Sequence, residues 1–116
     1  MRIAGFPSPA DEYGLVSLSL TELLVPRPAS TYFVRVAENL TPAIVQGDIL
    51  VVDRSLPLKE GSLAVIVLRG QLALRRARRR GERWWFDSLR GPERAVTVEE
   101  DDLLWGVVSY VLHRTA

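Results

Sequence analysis

Residues 63–74, Leu63-Ala64-Val65-Ile66-Val67-Leu68-Arg69-Gly70-Gln71-Leu72-Ala73-Leu74, decide the fold. A continuous apolar run of six residues, opened by Gly61, reads as a buried strand; it is too short for a core helix and far short of the ~18 residues a membrane span needs. Arg69-Gly70 makes a tight connection, and Leu72 to Leu74 begins the return strand of a hairpin.

Working outward, the same signal recurs about every ten residues. Tyr32 to Ala37 is rich in aromatic and β-branched residues. Ile49 to Val52 follows the turn pair Gly47-Asp48, and Trp84-Trp85-Phe86 lies between Gly81 and the Arg90-Gly91-Pro92 turn. Ala95 to Val98 alternates, and Leu103 to Leu112 is a last apolar strand interrupted by Gly106. No segment keeps a 3.6-residue apolar period for three turns. Thr21 is expected to cap a single helical turn, Glu22 to Val25, which Pro26 and Pro28 stop. The expectation is an all-β body, sandwich or barrel-like with short strands, over 15–116. Residues 1–14, with Pro7, Pro9, Gly5 and Gly14, are expected to form an extended arm.

At 116 residues the chain is one domain, and 47% hydrophobic with 25% charged residues is ordinary globular composition. The net charge of +1 makes no global case for nucleic acid. The absence of cysteine excludes disulfides, thiolate metal sites and a cysteine nucleophile. With no secretory h-region at the N-terminus and no membrane span, the expectation is a cytoplasmic protein.

The residues offer little to catalysis. The single imidazole, His113, sits three residues from the end and reads as a solvated side chain. The run Glu99-Glu100-Asp101-Asp102 has consecutive carboxylates, a solvated turn first and a hard-cation site second; no metal or other cofactor is expected. Lys59, the only lysine, lies in a surface turn where it stays charged, and arginine does not deprotonate to serve as a base.

Three stretches are similar to the UmuD branch of the LexA-type self-cleaving serine peptidases. They are Gly5-Phe6-Pro7-Ser8-Pro9-Ala10-Asp11-Glu12-Tyr13, then Leu23-Leu24-Val25 through Pro28 to Val36, then Thr41-Pro42-Ala43-Ile44 with Gly47 to Ser55. A fainter echo runs through Gly70-Gln71-Leu72 and Trp105 to Val108. The resemblance implies a LexA/UmuD-type β body, and its departures carry the functional expectation. The family's nucleophilic serine falls on Asn39 when the alignment is anchored at Thr41 to Ile44, or on Leu40 when anchored at Tyr32 to Val34; Asn39 is preferred. The general-base lysine falls on Arg75. Both halves of the dyad are thus expected to be missing, and the catalytic set is expected to be empty.

The resemblance also places a vestigial cleavage bond at Ala4-Gly5, with four residues before it, so the chain resembles the processed form from Met1. The other reading is that Met1 is not the native start. By the same resemblance the chain is expected to be a catalytically inactive, homodimeric accessory subunit of an error-prone Y-family (UmuC-like) DNA polymerase, acting with the RecA filament in the SOS response to DNA damage. Alternatives are a pseudo-peptidase modulator forming mixed dimers with a resident UmuD or LexA-type protein, and an active peptidase with a rearranged dyad.

One local feature stands outside the resemblance. Arg75, Arg76, Arg78, Arg79 and Arg80 put five guanidiniums in six positions, of which at most three share one face of a strand. Such a patch grips phosphates, DNA or an acidic partner; the alternative is a hairpin whose charges keep an edge soluble. Among the aromatics that follow, one face is expected in the core and the other is a candidate interface anchor.

Overall fold

The computed structural model describes residues 19–90, 96–98 and 103–116. The expected arm over 1–14, the bond Ala4-Gly5 and the acidic run 99–102 lie outside the described residues.

The described chain is all-β apart from one short helix, α1 (Leu20–Leu24), and a 3-10 turn at Pro28–Ser30. The strands are β1 (Thr31–Arg35), β2 (Ile49–Asp53), β3 (Leu63–Leu68), β4 (Gln71–Arg80), β5 (Arg83–Ser88), β6 (Val96–Val98) and β7 (Leu104–Leu112). Ser19, not Thr21, caps α1: its hydroxyl accepts from the Glu22 amide at 3.4 Å. The cap therefore sits two positions earlier than the sequence suggested, and Leu20 becomes the first helical residue.

All seven strands join one antiparallel sheet in the order β1-β2-β7-β3-β4-β5-β6. The last long strand is inserted between β2 and β3, so among the described strands the ladder of the second-half hairpins reaches β2 through β7. Two irregularities let β7 serve both neighbours. Against β2 the register skips Ser109, whose hydroxyl donates to the Val51 carbonyl at 3.1 Å. Against β3 it skips Trp105, whose carbonyl accepts from Arg54 Nε at 2.7 Å. Bulges of this kind bend a strand and re-aim side chains. Between them lies Gly106, where an added Cβ would fall 2.6 Å from Val52 Cγ1, so close packing of β7 on β2 demands glycine there.

The β3–β4 connection is a two-residue turn with φ of 53° at Arg69 and 76° at Gly70, the type I′ geometry that suits the twist of a hairpin. β4 is long enough to be shared. Its first six residues pair with β3 and its last six with β5, so the whole arginine run lies inside the sheet.

Each face of the sheet carries its own core. On one, Val36, Ile44, Leu50, Val52, Val65 and Leu74 pack with Leu40, Trp105 and Val108 at their margin. On the other, Ala64, Ile66, Ala77 and Phe86 pack with Trp84 and Leu104. This is why β3 reads as a continuous apolar run: its successive side chains enter opposite cores.

Candidate functional site

Two of the residues singled out in the sequence, Leu40 and Arg75, line an open groove of about 720 Å³ on the first of these cores. Its floor is apolar, including Val34, Leu50, Val65 and Leu74. One wall is the chain leaving β1, Ala37 to Leu40; the other is the β3–β4 hairpin, with Ser88 to Arg90 closing an end.

The first wall is built locally. Beyond β1 the Val36 amide donates to the Asp48 carbonyl at 2.8 Å, and the Gly47 amide returns to the Val36 carbonyl at 2.9 Å. The chain then turns away and is pinned by a small loop. Leu40 and Thr41 amides donate to the Ile44 carbonyl, and the Thr41 hydroxyl accepts from Ala43 and Ile44 at 3.1 and 3.0 Å. Pro42 follows Thr41 as the first central residue of this turn, where a fixed φ suits it.

Asn39 and Leu40 are thereby separated. The Asn39 side chain accepts from the Gln46 amide at 2.9 Å and braces the loop, while Leu40 lines the groove and packs on the core. Glu38 also lines the groove and lies 3.7 Å from Arg90, whose guanidinium donates to the Asn39 carbonyl at 2.9 Å. Across the groove stands Arg75, half-buried, with Nη1 donating to the Leu74 carbonyl at 3.0 Å. Of the positions onto which the resemblance maps the dyad, Leu40 and Arg75 line the groove, and Asn39, the preferred serine position, serves the loop instead.

The chemistry within reach is limited. Leu40 has no reactive atom, the Asn39 amide is engaged, and arginine does not act as a base near neutral pH. The Ser88 hydroxyl lines the groove, but it donates to the Arg90 carbonyl at 2.8 Å and accepts from the Arg90 amide. Lys59 is exposed in the β2–β3 connection and does not line the groove. Among the described residues no cluster of three or more His, Asp or Glu side chains could hold a metal ion.

The arginine run is not a uniform patch. Arg78 makes a two-pronged pair with Asp87, at 2.9 and 3.1 Å; the pairing raises the arginine's pKa and holds the carboxylate below its usual range. Arg76 donates to the Gly61 carbonyl at 2.8 Å. Arg79 donates to the Gly81 carbonyl at 2.9 Å, and its guanidinium lies 5.8 Å from the Trp84 ring centre. Ala77, in their midst, is 1% exposed opposite Phe86. Phe86 and Trp84 face the core, and Trp85 stands on the other face opposite Arg78, half-buried.

Two buried carboxylates escaped the sequence reading. Asp48 accepts from the Val45 amide at 3.0 Å and lies 2.7 Å from His113 Nδ1; the Val45 amide first, then His113, hold its pKa down against burial. His113 is therefore not merely solvated: it fastens the end of the chain to the turn before β2. Asp53 accepts from the Ser55 hydroxyl at 2.6 Å, the Ser55 amide and Ser30 hydroxyl at 2.9 Å, and Arg27 Nε at 2.8 Å. Its pKa is driven far below the ordinary carboxylate value, chiefly by the Ser55 hydroxyl. The local signal for it was Asp-x-Ser, a side chain turning to the amide two residues on; the Asp48–His113 contact, 65 residues apart, has no local signal.

The Peptidase S24-like family profile matches residues 3–108. The chain belongs to that family, within its UmuD group. It is 36% identical over 114 residues to protein ImpA of Salmonella typhimurium, covering 97% of this chain and 79% of that protein. Protein MucA of Escherichia coli is 43% identical over 75 residues, 63% of this chain and 51% of MucA. Protein SamA of Salmonella typhimurium strain LT2 is 28% identical over 114 residues, 97% of this chain and 80% of SamA.

Proposed function

We propose that this chain is a non-cleaving UmuD-type subunit: a cytoplasmic homodimer that assists a Y-family DNA polymerase, with the RecA filament, in copying past damaged DNA. The observation that carries the reading is the make-up of the groove. Where the family resemblance calls for a serine and a lysine, the chain has Asn39 or Leu40 and Arg75, an amide that braces a loop or an apolar side chain, and a permanent cation. A nucleophile needs a base within hydrogen-bond reach, and the Ser88 hydroxyl is engaged instead with the Arg90 carbonyl and amide. A body kept after its chemistry is gone acts by binding.

A row of apolar side chains supports self-association. Phe33, Val51 and Tyr110 stand opposite one another on β1, β2 and β7, and Leu112 follows two residues on along the same face. Phe33 is 58% exposed, Tyr110 38% and Leu112 39%, while Val51 between Phe33 and Tyr110 is fully buried, so the surface offered for contact is the apolar side chains of β1 and β7 that flank it. Among the described residues no helix is long and apolar enough to cross a membrane.

The test is co-purification with the Y-family polymerase of the same genome, with solution mass of the free chain measured alongside. Retention of the polymerase and a free species of twice the 13.0 kDa chain mass are expected. A monomer that ignores the polymerase sinks the reading.

A further inference from the structure

Unpaired backbone at the edge of a sheet is a template for another strand, and this fold treats its edges unequally. β6, the last strand in the order, is only three residues long. Where β4 outruns β3, the preceding loop covers it. The Ala77 amide donates to the Ser62 carbonyl at 2.8 Å, the Gly61 amide to the Ala77 carbonyl at 2.9 Å, and the Glu60 carboxylate accepts from the Arg79 amide. β1 stands at the opposite end of the order, and among the described residues no strand covers its outer side.

The phase of its ladder fixes which groups face outward. The Arg54 amide donates to the Ser30 carbonyl and the Val36 amide to the Asp48 carbonyl, both at 2.8 Å, at the two ends of an unbroken register. Backbone groups alternate along an antiparallel ladder, so Tyr32 and Val34 turn theirs to β2 while Thr31, Phe33 and Arg35 turn theirs out. The strand has no proline and no bulge, and its one charge, Arg35, lies at its end. Phe33 is 58% exposed on one face of it and Tyr32 43% on the other.

We propose that this edge pairs with β1 of a second copy, antiparallel about a two-fold axis through Phe33, joining two sheets into one. An isologous surface must complement itself, and this strand does so in one register. Outward groups must meet outward groups, and only centring on Phe33 matches all of them: Phe33 meets Phe33 of the second copy, and Thr31 meets Arg35 at both ends. Centring on Arg35 sets two guanidiniums directly opposite, which is unfavourable, whereas centring on Phe33 makes a stabilising aromatic pair. The two rings meet on the face that carries Tyr110 and Leu112. This deepens the proposed homodimer and rests on that reading for the dimer itself; the edge and the register are what it adds.

The experiment is NMR on the full chain mixed from isotope-labelled and unlabelled copies, with solution mass measured on the same sample. Slow exchange of the Thr31, Phe33 and Arg35 amides is expected. So is an intermolecular contact between the α-protons of Tyr32 and Val34, which approach closely in a non-hydrogen-bonded pair. Phe33→Lys replaces the aromatic pair with facing cations and is expected to weaken dimerisation about tenfold or more. Its circular dichroism is expected to stay native, since Phe33 is largely exposed, and Phe33→Tyr is expected to dimerise like the native chain.

A dimer whose Thr31, Phe33 and Arg35 amides exchange freely overturns the edge pairing and leaves the dimeric reading intact. A monomer at these concentrations refutes both. Contacts to β1 that arise within one chain, from residues 1–18, make the chain's own segment the occupant and overturn the proposal. An undiminished dimer in Phe33→Lys does the same.

Discussion

The β4–β5 hairpin and the groove are both rich in arginine, and they gather it differently. On the hairpin the guanidiniums turn inward on their own structure: Arg78 to Asp87, Arg76 to Gly61, Arg79 to Gly81 and the Trp84 ring. Around the groove, Arg35, Arg69, Arg75 and Arg90 come from four separate places in the chain to border an open apolar space, with Arg75 bonded to the Leu74 carbonyl and Arg90 to the Asn39 carbonyl. The run that is conspicuous in sequence is largely engaged with its own hairpin, and the groove's arginines are brought together by topology from residues that are far apart. Density of charge along a chain measures neither the field nor the use of a surface.

If the hairpin's arginines are architectural accessories, its stability must come from beneath them. Phe86→Ala removes a fully buried ring and is expected to destabilise the protein by about 3–5 kcal/mol, read from chemical denaturation. A cost no larger than that of Arg78→Ala would break the comparison. Asp53→Ala, which strips the buried acceptor from Ser30, Ser55 and Arg27, is expected to cost about 2–3 kcal/mol. That loss falls at the start of β1 and leaves the β4–β5 hairpin's amide protection close to normal, which hydrogen exchange would show.

The same acids set a pH dependence. Asp48, Asp53 and Asp87 all have folded-state pKa values below the ordinary carboxylate value of 3.8. As pH falls the unfolded chain takes up protons first, so their contribution is complete above about pH 5 and is lost progressively below about pH 4. Denaturation midpoints should be flat from neutral to mildly acidic pH and fall beneath it, with a shallower fall in Asp53→Asn. A stability that rises on acidification would contradict the assignment. The smallest effect belongs to the Arg78–Asp87 pair, partly exposed on both sides, whose coupling in a double-mutant cycle should be about 0.5–1 kcal/mol.

Much of this fold was legible in the residues because its signals are local. Leu63 to Leu68 matches β3 to the residue, since a strand with cores on both faces needs no alternation. β4 was read only as far as Leu74 because the arginines after it mask the pattern; the clue was Ala77, the one small apolar residue among them, placed to meet Phe86. Ser109 and Trp105, the skipped residues of β7, carry no sequence mark, because a bulge is fixed by two neighbours at once. At the site, family resemblance pointed to Asn39, Leu40 and Arg75. It could not apportion loop bracing to Asn39 and groove lining to Leu40 and Glu38, nor add Arg35, Arg69 and Arg90, which only the folded sheet brings to one place.

The central claim of the proposed function is that the groove does not cut. Its most direct test is the intact mass of the full chain after prolonged incubation from neutral to alkaline pH, beside the double variant Leu40→Ser with Arg75→Lys. The account predicts the unprocessed chain at every pH for the native sequence, whatever the variant regains. Loss of the four residues before Gly5 from the native chain would contradict it.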